Sequence, residues 1–125
     1  MILDTNALSA FVEGDRGLLE ALGSADRLCI PSIALGEYRF GIAGSRYRER
    51  YETWLRENLP SKEILSVDRE TTTHYAEIRR ELKAGGTPIP WHDVWIAAIV
   101  RQHGMPVLSR DAHFDRVKGI RRIAF

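Results

Sequence analysis

One cysteine stands in 125 residues, so neither an internal disulfide nor a cysteine-based zinc site can form. Cys29 reads instead as a small buried hydrophobe, and a reducing cytoplasm is the expected home. No apolar run approaches the ~18 residues that a membrane-spanning helix needs. The N-terminal segment lacks the basic region and long apolar core of a secretory signal. Net charge is only +1, so the chain is no polycation. The common hydrolytic kits are missing too: there is no GxSxG, no HExxH, no phosphate-binding P-loop and no convincing Cys–His pair. His74, His92, His103 and His113 show no metal-ligand spacing, which assigns most of them to surface or core. Repeats, low-complexity tracts and long Pro/Gly linkers are also absent, so residues 1–125 are expected to form one domain.

What remains is an ordinary globular composition, 44% hydrophobic and 28% charged. Short apolar runs alternate with longer helical patterns, the signature of an α/β sheet with crossover helices. The runs are Met1–Asp4, Leu28–Ile30, Ile64–Val67, Pro106–Ser109 and an edge strand within Ile120–Phe125. Helices are predicted from Thr5 or Asn6 to Gly14, over Asp15–Leu22, and from Ser32, as N-cap, to about Gly41. Three more cover Tyr47–Asn58, Thr71–Ala84 and His92–His103. Tyr47, Tyr51, Trp54 and Leu55 form an apolar stripe that suits either core packing or a partner surface.

Four acids carry the chemical interest. Asp4 directly follows the first strand, where ligands of α/β sheets collect, yet Asp is also a favoured helix cap. Glu37 shares a helical face with Ile33 and Phe40, so it should turn inward with them. Asp93 likewise lies on the face of Ile96, Ala97 and Val100. Asp111 follows the Pro106–Ser109 run, with Asp115 four residues beyond as a rival. Carboxylates converging in one pocket cannot all ionise unless cations hold them. Oxygen ligation with few protein groups suits Mg²⁺ or Mn²⁺, which can activate water against a phosphodiester. The segment 101–125 carries six lysines and arginines against two aspartates, an excess that could attract phosphates.

The blocks "ILDTNAL", "GEYRFG", "HDVWIAAIV" and "VLSRDAHFDRV", in that order and across nearly the whole chain, resemble those of PIN domains. Their order and the short chain are similar to the VapC toxins of toxin–antitoxin pairs. The resemblance implies a three-layer α/β/α fold with a central, mainly parallel sheet of four to five short strands. It implies an acidic site at Asp4, Glu37, Asp93 and Asp111 that binds Mg²⁺ or Mn²⁺, with Asp111 preferred over Asp115. Thr5, Asn6 and Ser109 would support that site, and His92 stands where relatives often have a small polar residue. Endoribonuclease activity, homodimerisation and inhibition by a small cognate antitoxin are also implied. Arg79, Arg110 and Arg116 are the candidates for RNA backbone contact. Two other readings stay open: a phosphatase-like enzyme with Asp4 as nucleophile, and a catalytically silent module binding an arginine-bearing partner. Against the first, position 6 is Asn and no partner lysine is evident.

Overall fold

Within each of three short strands, neighbouring residues point into opposite layers, as the two-residue period of a strand requires. Ile2, Cys29 and Val107 enter one apolar cluster, whereas Leu3, Ile30 and Leu108 enter another on the far side. The structure, a computed structural model, describes residues 1–125. Its strands are β1 (Ile2–Leu3), β2 (Cys29–Pro31), β3 (Glu63–Leu65), β4 (Val107–Leu108) and β5 (Arg122–Ile123). They form one sheet of order β3-β2-β1-β4-β5 in which every pairing is parallel. A parallel sheet must be covered on both faces, which explains why its central strands are almost continuously apolar.

The covering helices are α1 (Thr5–Glu13), α2 (Arg16–Leu22), α3 (Ser32–Ala43), α4 (Arg48–Asn58), α5 (Arg69–Ala84) and α6 (Trp91–His103). Ile78 and Leu82 of α5 join Ile96, Ile99 and Val100 of α6 over one face. Leu8 of α1, Leu18 of α2 and Leu55 of α4 cover the other. Each fully buried Leu or Ile contributes about 1.5–3 kcal/mol of apolar transfer. Helix α3 spans both layers, with Ala34 in the first cluster and Tyr38 and Ile42 in the second.

Local chemistry sets several boundaries. Asp4 caps α1, which stops at Gly14 in the left-handed conformation (φ 70°). Asp68 and Thr71 form a reciprocal capping box that starts α5. Helix α3 departs from expectation at its start: Pro31 is the N-cap, without a side-chain hydrogen bond, and Ser32 is already the first helical residue. Pro31 also closes β2, so the chain passes from strand to helix without a loop. Strands β3 and β5 are shorter than the apolar runs suggested, because Ser66, Val67 and the residues flanking Arg122–Ile123 make no ladder pairing.

Two packing expectations resolve differently. Of the Tyr47–Leu55 stripe, Leu55 is buried and Tyr51 and Trp54 pack against the core, whereas Tyr47 is exposed. The predicted inward face of α3 is wrong in detail: Phe40 is 83% exposed, and Ala34, Tyr38 and Ile42 form the buried stripe. Glu37 therefore sits at the margin of that stripe, half-buried. At the outer edge of the sheet, Arg27 clamps Glu63 with two hydrogen bonds, the Nε one 2.7 Å long. That pairing holds the Glu63 carboxyl down at about 2. No helix is long and apolar enough to cross a membrane.

Candidate active site

Strand β1 lies at the middle of the sheet, and the chain leaves it toward β2 and β3 on one side and β4 and β5 on the other. At such a switch point the loops after adjacent strands diverge and leave a crevice at the carboxyl ends. Asp4 follows β1 and Ser109 follows β4, so both lie at the carboxyl ends of adjacent strands, with Ser109 fully buried beneath the crevice. A pocket of ≈ 280 Å³ opens there, lined by Asp4, Thr5, Asn6, Glu37, Pro90, His92, Asp93, Asp111 and His113. All four predicted acids meet in it, together with Thr5 and Asn6. No hydrophobic side chain, lysine or arginine is part of its wall.

A chain of hydrogen bonds orders these groups. Oδ1 of Asp4 accepts the Ala7 N–H at 2.8 Å, and Oδ2 accepts the Ser109 hydroxyl. The choice between cap and pocket wall was therefore a false one, because Asp4 does both. Ser109 Oγ in turn accepts the Asp111 N–H at 2.9 Å. Oδ1 of Asp111 accepts the His113 N–H at 2.9 Å, capping a 3-10 turn over Ala112–Arg116. The His113 ring then returns to the acids, with Nδ1 3.0 Å from Asp111 Oδ2 and 3.4 Å from Asp93 Oδ2. His92 approaches the other oxygen of Asp93 at 3.7 Å.

Electrostatics follow from this crowding. Burial pushes the Asp4 carboxyl above its ordinary range, and the nearby charges of Asp93 and Asp111 add to the shift. The hydrogen bonds from Ser109 and Ala7 oppose it. Asp93 is raised for the same first reason, with His92 and His113 pulling the other way. Asp93 is 8% exposed and, as predicted, lies on the buried face of Ile96, Ala97 and Val100. Two buried carboxylates destabilised as anions, with no lysine or arginine to offset them, make a donor set that fits a divalent cation. The same absence of a lysine speaks against the phosphatase-like alternative.

Asp115 is excluded from the pocket by its own partner. Both of its oxygens accept from Arg122 at 2.8 Å, which holds its carboxyl below the ordinary range. Two of the four histidines, His92 and His113, line the pocket. No helical or strand period reveals His113, because a capped 3-10 turn rather than a regular element aims its ring. The available signal was its position two residues after a capping aspartate.

None of the three arginine candidates reaches the acidic wall itself. Arg110 pairs with Asp15 at 2.8 Å and lies over the Phe125 ring. It borders a depression that shares Asn6 with the pocket. Arg79 donates to the Tyr75 hydroxyl at 2.8 Å and flanks an apolar groove with Trp91. Arg116 donates to the Pro88 carbonyl at 3.3 Å.

The relatives of this chain agree with its architecture. It is 30% identical over 125 residues to ribonuclease VapC2 of Haemophilus influenzae, covering 96% of this chain and 93% of that one. It is 32% identical over 99 residues to the tRNA(fMet)-specific endonuclease VapC of Salmonella typhimurium, with 78% and 75% covered. Among solved structures, DNA-bound VapBC from Salmonella typhimurium superposes with a TM-score of 0.87 at 29% identity, covering 98% of this chain and 96% of that chain. The PIN domain model matches residues 1–120. By that match and by the site at its switch point, the chain belongs to the PIN domain family.

Proposed function

We propose that this protein is the endoribonuclease toxin of a VapC-type toxin–antitoxin pair, hydrolysing RNA phosphodiester bonds and thereby arresting translation or growth. The observation that carries this reading is the meeting of Asp4, Glu37, Asp93 and Asp111 in one polar crevice of a PIN fold. Relatives named as VapC ribonucleases across nearly the full chain support it, as do structural neighbours that are VapBC complexes. A small cognate antitoxin is the partner that holds the enzyme inactive, and RNA is the substrate. Residues 1–125 act as one PIN-like domain, in a cytoplasmic homodimer.

Asp4, Asp93 and Asp111 would hold Mg²⁺ or Mn²⁺, with Glu37 at the margin. When bound, such a cation polarises the scissile phosphate and acidifies a water. The side chains of the protein supply orientation and proton handling. Ser109 and the Ala7 N–H fix both oxygens of Asp4, and the capping bond fixes one oxygen of Asp111. Glu37, half-buried and bound to no arginine or lysine, orients the attacking water and accepts its proton. Thr5 and Asn6 offer hydrogen bonds to phosphate oxygens at the pocket mouth. Arg79, Arg110 and Arg116 stand on neighbouring surfaces where the RNA backbone would pass.

Purified protein, stripped of antitoxin, should cleave structured RNA in Mg²⁺ or Mn²⁺, lose that activity in EDTA, and be inactive as Asp4→Asn. Absence of cleavage by the wild type in both metals would sink the nuclease reading. It would favour the silent binding module.

A further inference from the structure

We infer that His113 is a nitrogen ligand of the cation in this pocket, so that the site mixes carboxylate oxygen with imidazole. The inference rests on the metal-dependent nuclease reading above and adds a donor to it. One oxygen each of Asp93 and Asp111 and one nitrogen of His113 lie mutually within 4.8 Å. Adjacent ligands of an octahedral ion with bonds of about 2.1 Å stand about 3.0 Å apart. The His113 Nδ1 separations, 3.0 Å to Asp111 Oδ2 and 3.4 Å to Asp93 Oδ2, are close to that edge length.

The local backbone makes this a held position. Oδ1 of Asp111 is occupied by the His113 N–H, which leaves Oδ2 facing the ring. The next residue, Phe114, is 1% exposed and anchors the turn in the core. His113 itself remains one-third exposed and lines the pocket that would hold the ion. His92 differs: its nearest approach to Asp93 is 3.7 Å, and it falls outside the converging set.

A nitrogen donor changes which ions are favoured. Carboxylate and water suit Mg²⁺, whereas imidazole raises affinity toward the later first-row metals. The test is electron spin-echo spectroscopy of Mn²⁺ bound to the wild-type protein, with calorimetric titration of Mg²⁺, Mn²⁺ and Ni²⁺. Expected are a ¹⁴N coupling to Mn²⁺ in wild type and in His92→Asn, and its loss in His113→Asn. His113→Asn should also weaken Ni²⁺ and Mn²⁺ by at least about tenfold and Mg²⁺ by less. Mn²⁺ bound to the wild type without a ¹⁴N coupling overturns the inference and leaves the nuclease reading standing. A coupling lost in His92→Asn but kept in His113→Asn transfers the role to His92 and also overturns it. Tighter binding of all three ions by His113→Asn would make the ring a competing cation, and the inference would fall with it. A wild type that binds no divalent cation overturns both the inference and the metal site beneath it.

Discussion

Ser109 and Asp4 are 105 residues apart in sequence and joined by a buried hydrogen bond, in which the serine hydroxyl donates to Asp4 Oδ2. The same hydroxyl oxygen accepts the Asp111 N–H. One small side chain thus sets the spacing of two acids that come from different strands. Ser109→Ala would leave the Asp111 N–H without a partner, costing about 1–3 kcal/mol. RNA cleavage should fall about 10–100-fold, as for other groups that orient metal ligands. Ser109→Thr keeps the hydroxyl and should recover most of the rate. Urea midpoints and cleavage kinetics on the three proteins check this.

The double role of Asp4 separates stability from activity. Asparagine caps a helix about as well as aspartate, so Asp4→Asn should change stability little, whereas Asp4→Ala should cost about 1 kcal/mol. Both should lose cleavage by about two orders of magnitude or more, the scale of removing a group at the reacting centre. Denaturant melts and a single RNA assay distinguish the two effects.

The rivalry between Asp111 and Asp115 has a direct test. Asp115 is committed to Arg122, so Asp115→Asn should leave the cleavage rate unchanged but lower stability, because the largely buried Arg122 side chain loses its carboxylate partner. Asp111→Asn should lower the rate and weaken Mn²⁺ binding, both measurable on the same preparations. Equal loss in the two variants would place both acids in the chemistry.

The Arg27–Glu63 clamp predicts an acid-sensitive sheet edge. The Glu63 carboxyl lies near 2 in the folded state against an ordinary 4.5. A depressed carboxyl stabilises fully above the unfolded value and loses that contribution as pH falls through the folded one. The stability difference between wild type and Glu63→Gln should therefore be constant above about pH 4.5 and shrink as pH falls toward 2. Urea unfolding across that range reads it. The pair is nearly half exposed, so solvent screening keeps the effect small.

The Cys29 thiol is buried, and burial pushes it up from its ordinary value. Alkylating reagents need the thiolate and access to it. Native protein should resist iodoacetamide at neutral pH and react at the rate of global unfolding as urea is added. Mass spectrometry of the alkylated protein follows it.

Much of this was legible in the residues. The apolar runs located β1, β2 and β4 because parallel strands buried on both faces need uninterrupted hydrophobes, whereas the edge strands β3 and β5 include Glu63 and Arg122 and were placed less closely. Asp93 turns inward as its spacing from Ile96, Ala97 and Val100 requires, because α6 is buried without a break from Ile96 to Val100. Glu37 reached the pocket for a different reason than expected. Phe40 is exposed, and a single large hydrophobe is a poor guide to orientation in a helix whose buried stripe includes Ala34. The place of His113 in the pocket was invisible because spacing rules describe residues on one regular element. Here the ring and the two acids come from a helix, a strand end and a 3-10 turn.

The central position of β1 has a consequence for synthesis. Its neighbour β4 and the serine that fixes Asp4 lie more than 100 residues further along the chain, so Asp111 and His113 join the crevice only after its other walls are made. Contacts this distant in sequence form late, after the intervening chain is available. A nascent chain on the ribosome therefore carries Asp4, Glu37 and Asp93 without the residues that complete the pocket.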